Sequence, residues 1–137
     1  EMAARATVSL HLRELGRLAD ATAELIECCS AHLRSSGEGH RLLAPWLLEL
    51  AAGLAARQAD AHLGATLLAA ADRARVEGDN RRPHWDDAEY ERLRELVGEE
   101  LGADDLLLAE SAGTAMDVTD AVRTAIEGLT RITTASR

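Results

Sequence analysis

The sequence predicts an all-α fold of antiparallel helix hairpins, and three observations carry the prediction. Small and apolar residues recur after 43 positions: Ser9, Leu12, Gly16, Ala21, Leu25 and Cys28 are matched by Ala52, Ala55, Ala59, Gly64, Leu68 and Ala71, a repeat length that suits one helix pair. Apolar residues make up 47% of the 137, yet Phe is absent and the aromatics are Trp46, Trp85 and Tyr90. The core is therefore Leu and Ala, which favours close helix crossings over a sheet sandwich. The clusters Ser35 to Gly39 and Glu77 to His84, rich in Gly, Pro and polar residues, fall between the helical stretches.

The first helix spans about Ala3 to Leu15, and Gly16 breaks it and turns the chain. The second runs from Leu18 to Leu33, with Leu18, Ala21, Leu25, Cys28, Cys29 and Leu33 on one face. Ser35 to Gly39 reads as a loop. A third helix covers Leu42 to Arg57, where Pro45 requires either a start near Ala44 or a kink, because proline lacks the amide donor. The fourth runs from Asp60, an N-cap, to Val76. Glu77 to His84, with Gly78, Asp79, Asn80 and Pro83, is a linker. Beyond it a fifth helix spans Asp86 to Leu101 with the stripe Tyr90, Leu93, Val97 and Leu101. Gly102 ends it. Leu106 to Leu108 belong to a short sixth helix stopping near Gly113, and a seventh starts at Asp117 or Thr119 and carries Val122, Ile126 and Leu129. The organisation is then two hairpins over 1–76, a linker over 77–84, a C-terminal helical cap over 85–132 and a frayed tail over 133–137.

The formal net charge is −9, and most of it sits in one place: ten acids between Asp86 and Glu110 face only Arg92 and Arg94. All 15 basic residues are Arg, and the chain has no Lys. Direct nucleic-acid contact is not expected, since phosphate backbones need a basic footprint. The acidic stretch reads as a solvated helix face or as a docking surface for a basic partner. Cys28 and Cys29 are adjacent, closer at Cα than a disulfide favours. They read as reduced packing residues of a cytoplasmic protein. No membrane span is expected, because no run approaches 18 apolar residues. Glu1 precedes Met2, which reads as a piece of a longer protein.

Small residues at the crossing points, Ser9, Gly16, Ala21 and Cys28 and then Ala52, Ala59, Gly64 and Ala71, with Leu12, Leu25 and Leu68 between them, fit the tetratricopeptide (TPR) pattern. The period of 43 exceeds the usual 34. From Leu47 to about Leu129 the chain resembles the C-terminal TPR region of large actinobacterial ATP-binding LuxR-type and MalT-like transcriptional regulators and their cyclase-linked relatives. The resemblance lies in LAARQADAHLGATLLAAADRAR (Leu54 to Arg75), Pro83, AEYERLRELVGEELG (Ala88 to Gly102) and AMDVTDAV (Ala115 to Val122). It departs at Ala59, where the family often has Gly, and at Leu106 and Glu110, where it often has aromatics. The last helices are therefore expected to pack less firmly. The resemblance implies a short right-handed TPR-like solenoid with a C-terminal helical cap. It also implies a regulatory segment with no catalytic residues of its own.

Catalytic constellations are lacking. The five histidines form no i, i+4 pair with an intervening Glu, and His84-Trp85-Asp86-Asp87 reads as a helix start. No phosphate-binding loop ends in Lys-Ser or Lys-Thr. No cofactor or metal is expected, and the chain is not expected to be an enzyme. The surface singled out is the groove lined by the first helix of each hairpin, with Leu10, Arg13 and Glu14 facing the same side as Trp46, Glu49, Ala56 and Arg57. Trp46 either grips a ligand there or packs on the neighbouring repeat. The expected partner is a protein or peptide, or another domain of the same parent protein. Self-association through an exposed apolar repeat end is a further expectation. The alternative is a small-molecule- or metal-binding helical bundle.

Overall fold

A computed structural model describes residues 2–35 and 38–135, and their regular structure is helical throughout. The elements are α1 (Met2–Glu14), α2 (Leu18–Arg34), α3 (Glu38–Arg57), α4 (Ala61–Glu77), α5 (Asp87–Ala115) and α6 (Val118–Ala135), with a 3₁₀ turn over His84–Asp86. α1 packs on α2, α3 on α4, and α4 on α5. α3 is the central element and touches α1, α2, α4, α5 and α6. That position explains why Ala51, Ala52, Gly53, Leu54, Ala55 and Ala56 are buried in succession: no face of this stretch is left for solvent. Among the described residues no helix is long and apolar enough to cross a membrane.

The 43-residue echo is visible as repeated turn geometry. Arg17 donates its amide to Leu12 C=O at 2.9 Å, and Asp60 donates to Ala55 C=O at 2.9 Å, the six-to-one bond that closes a helix C-terminus. Both bonds require a left-handed residue just before the donor. Gly16 supplies it at φ 79° and Ala59 at φ 67°. Gly102, 43 residues after Ala59, also has a positive φ of 74° and divides α5 at that point. With ψ 169° it is a kink and not a third closing turn, so what continues past Pro83 is the 43-residue spacing of positive-φ residues. Asp60 also caps α4, its Oδ1 accepting from Leu63 N at 3.0 Å.

Small residues let the backbones meet. Ser9, 1% exposed, donates its hydroxyl to Ala21 C=O at 2.8 Å across the α1–α2 crossing, so its polarity is satisfied where its size is needed. At Gly113 a Cβ would lie 2.0 Å from Thr66 O, so the second half of α5 rests directly on the backbone of α4. Gln58 Nε2 donates to Thr22 Oγ1 at 2.9 Å and ties the turn of the second hairpin to α2. Leu25, Leu47, Leu48, Leu54, Leu67 and Leu129 are fully buried, each contributing about 1.5–3 kcal/mol of apolar transfer.

Several boundaries differ from the sequence reading. α3 starts at Glu38, so the loop expected at Ser35 to Gly39 is shorter; positions 36 and 37 lie outside the described residues. The helix runs through Pro45, whose side chain is buried. Its missing amide leaves the Arg41 carbonyl without its usual donor, and the next carbonyl, Leu42 O, accepts from Asn80 Nδ2 at 2.9 Å. After Gly102 the helix resumes at once and carries Leu106 to Leu108 on to Ala115, two residues beyond the expected stop near Gly113. The tail expected to fray from Thr133 is helical to Ala135, with Thr133 and Thr134 hydroxyls bonded to Leu129 and Thr130 carbonyls. Nor do the last helices pack loosely: Ala109, Ala121, Val122, Ala125 and Leu129 are fully buried. α6 achieves this by lying against α2, α3 and α4. On the outer face of α1, Val8 and Leu15 remain 48% and 72% exposed.

Ala59 carries the strain that Gly16 avoids, because a Cβ in the left-handed region costs about 1–2 kcal/mol. Part of that is returned to glycine's greater unfolded-state entropy. Ala59→Gly is expected to stabilise the chain by about 0.5–1 kcal/mol, seen as a higher urea midpoint at unchanged slope. A lower midpoint would contradict this account of the turn.

Candidate functional site

α1, α3 and the first half of α5 line a cavity of about 330 Å³. Leu10, Arg13 and Glu14 come from α1, Trp46, Glu49 and Leu50 from α3, and Glu89, Tyr90, Arg92 and Leu93 from α5; Leu68, Arg82 and Asp86 complete the wall. Five of the seven groove residues named from the sequence thus border one space. Ala56 does not: it is 8% exposed and belongs to the core, because α3 is enclosed on every side at that point. Arg57 stands outside the lining and reaches it through Glu89, to which its Nη2 donates. Trp46 is half-buried, packing on the core with one part and walling the cavity with another.

Two carboxylates organise the charges of this wall in opposite ways. Glu49 is saturated. Arg75 grips it bidentately at 2.9 and 2.6 Å, and Arg82 adds bonds at 2.9 and 2.6 Å to Glu49 Oε2. The side chains are only 13%, 9% and 14% exposed for Glu49, Arg75 and Arg82, so the charges are strongly coupled. Arg82 also reaches Asp72 at 3.2 Å and lies 3.5 Å from the Tyr90 ring centroid, a cation–π contact. Burial works to lower the Arg82 pKa, but hydrogen bonding and attraction from Glu49 outweigh it and the net shift is upward.

Glu89, by contrast, serves three cations. Arg57 hydrogen-bonds it, Arg92 donates to it at 2.9 Å and Arg13 approaches to 3.5 Å. Burial pushes the Glu89 carboxyl up, and the bonds from Arg57 and Arg92 pull it below the ordinary value. Arg13 has the opposite balance. Its guanidinium is lowered first by burial and then by repulsion from Arg57. Asp86, at the other end of the cavity, is raised by burial and by its neighbour Glu49.

The α5 contribution, Glu89, Arg92 and Leu93, is what the sequence reading missed, since everything after Pro83 was assigned to a cap. The signal was present: these positions follow Trp46, Glu49 and Leu50 by the same 43 residues. The pairing of Glu49 with Arg75 and Arg82 left no periodic trace. Cys28 and Cys29 are buried and form no disulfide among the described residues; burial raises both thiols, Cys29 to about 12, as suits packing residues. Glu99, Glu100, Asp104 and Asp105 are exposed. Among the described residues no group of three His, Cys, Asp or Glu side chains is placed to hold a metal ion. Compared with known protein families, curated proteins and solved structures, the chain finds no match in any of the three.

Tyr90 donates its hydroxyl to Asp72 at 2.6 Å, and burial followed by this bond raises its pKa to about 12. A raised folded pKa means that the stability from neutral Tyr90 is complete below pH 10 and is lost as pH climbs toward 12. Tyr90 is the single tyrosine, so ultraviolet titration reads it directly. The phenolate is expected near pH 12 in the folded chain and near 10 in denaturant, with Asp72→Asn lowering the folded value. Ionisation of the folded wild type near pH 10 would contradict the bond.

Proposed function

We propose that this chain is a non-enzymatic, TPR-like interaction segment of a larger signalling ATPase or transcriptional regulator, coupling partner binding in its groove to output elsewhere in the parent protein. The observation that carries the reading is the cavity shared by α1, α3 and α5. First helices of successive hairpins form the binding face of a helical solenoid, and the positive-φ residues at the turns, Gly16 and Ala59, and at the α5 kink, Gly102, keep a 43-residue spacing. The sequence resemblance from Leu54 to Val122 supports the same reading. α6, lying on α2, α3 and α4, serves as the cap and leaves the groove side open.

The occupant is an extended segment of a protein partner or of another domain of the parent. A half-buried aromatic flanked by charged side chains is the usual anchor of such a contact. The size of the cavity also suits a small ligand, and that observation keeps the small-molecule bundle as the second reading.

Panning a random peptide library against the chain is expected to enrich peptides that bind in the groove. Trp46→Ala should weaken them at least about tenfold, roughly 1.4 kcal/mol, while unfolding stays cooperative. Glu14→Arg, an exposed change at the rim, should shift their charge preference without altering stability. Peptides held equally by wild type and both variants would remove the groove from the account.

A further inference from the structure

The cavity holds an imbalance that its own residues do not resolve. Arg13, Arg57 and Arg92 share the one carboxylate of Glu89, and even with Glu14, which also attracts Arg13, cations outnumber carboxylates here in a chain whose net charge is −9. Two of these cations are forced together. A Cβ on Gly53 would meet Arg57 Nη1 at 2.8 Å and Arg13 Nη1 at 3.2 Å, so both guanidiniums lie over the same bare stretch of α3 backbone. Arg13 is the less satisfied. Its side chain is 11% exposed, and among the described residues its one ion pair is to Glu89 at 3.5 Å, with no side-chain hydrogen bond made; Glu14 adds only a longer-range attraction. Five guanidinium donors in a desolvated place call for an acceptor.

From this geometry we infer that the Arg13 end of the cavity is an oxyanion site, taking a compact organic ligand with one carboxylate or phosphate on a flat apolar body. The inference rests on the second reading of the cavity, as a small-ligand site. Planar guanidiniums match carboxylate and phosphate oxygens in paired bonds. Trp46, Tyr90 and Leu93 supply the apolar wall for the rest of the molecule. The opposite end limits the ligand to a single anionic group: Glu49 is already consumed by Arg75 and Arg82, and the Asp86 carboxylate, which makes no hydrogen bond or ion pair among the described residues, repels a second negative charge.

Phenyl phosphate is the probe, with inorganic phosphate and benzylammonium as controls, followed by calorimetry and Trp fluorescence on the whole chain. One phenyl phosphate per chain is expected, bound at least tenfold tighter than inorganic phosphate and weakened by salt, with no saturable binding of benzylammonium. Arg13→Gln should cost at least tenfold. Should that variant not fold, Arg92→Gln at the exposed rim should cost about threefold. Glu89→Gln should bind phenyl phosphate more tightly, because it removes the competing carboxylate, whereas a purely structural Glu89 would weaken it. No saturable binding, equal binding of benzylammonium, or weaker binding by Glu89→Gln each overturns the proposal. Loss of phenyl phosphate binding alongside Trp46-dependent peptide capture sinks the oxyanion site and leaves the groove reading standing. The reverse outcome sinks the peptide reading alone.

Discussion

The Glu49 carboxylate, held between Arg75 and Arg82, is the constraint on which the remaining architecture depends. It sits on α3, while its partners come from the end of α4 and from the segment that leads into α5. One buried anion thus fixes three pieces of chain. Burying three charges is costly, and the attraction offsets the cost only when every partner is in place. Arg82 carries the constraint onward, stacking on Tyr90 and meeting Asp72, which in turn accepts from the Tyr90 hydroxyl. The first turns of α5 are thereby pinned beside α3 and α4, and the wall of the cavity is set.

A second carboxylate only three residues into that pinned helix faces a different situation. Glu89 has more cations than it can neutralise, and Gly53 brings two of them over one another. The two ends of the cavity therefore differ in kind: one is a closed polar network that holds helices together, the other an open one that lacks a counter-charge. Structure and recognition use the same residue types but opposite stoichiometry. On the far side α6 fills the space against α2, α3 and α4, so the hydrophobic load is met without closing the groove.

What was legible in the sequence follows from what is local or periodic. The first hairpin turn was marked by Gly16 and the N-cap of α4 by Asp60, because backbone conformation and capping act within a few residues; Ala59, expected with Gly16 at helix crossings, lies like it in an exposed turn. The groove residues of α1 and α3 could be placed from the 43-residue register, apart from Arg57, which reaches the cavity only through Glu89, and Ala56, whose burial depends on neighbours that converge only in three dimensions. Of the two outcomes that Pro45 left open, the late start is the one overturned, because a fully packed helix beginning at Glu38 carries the local penalty. The ion pairs of Glu49 join residues 26 and 33 positions apart, and nothing in the spacing of those residues marks them as partners. The docking of α6 was equally hidden, since an amphipathic stripe states that a helix has an apolar face but not which helices will cover it.

The central claim is that Glu49 pins the start of α5 and so builds the cavity wall. Hydrogen exchange on Glu49→Gln, combined with urea unfolding, tests it directly. Leaving Arg75 and Arg82 without their carboxylate is expected to cost about 3–5 kcal/mol, and protection should fall most in residues 87–94 and least in the α1–α2 hairpin. Stability within about 1 kcal/mol of wild type, with uniform protection along α5, would contradict the account.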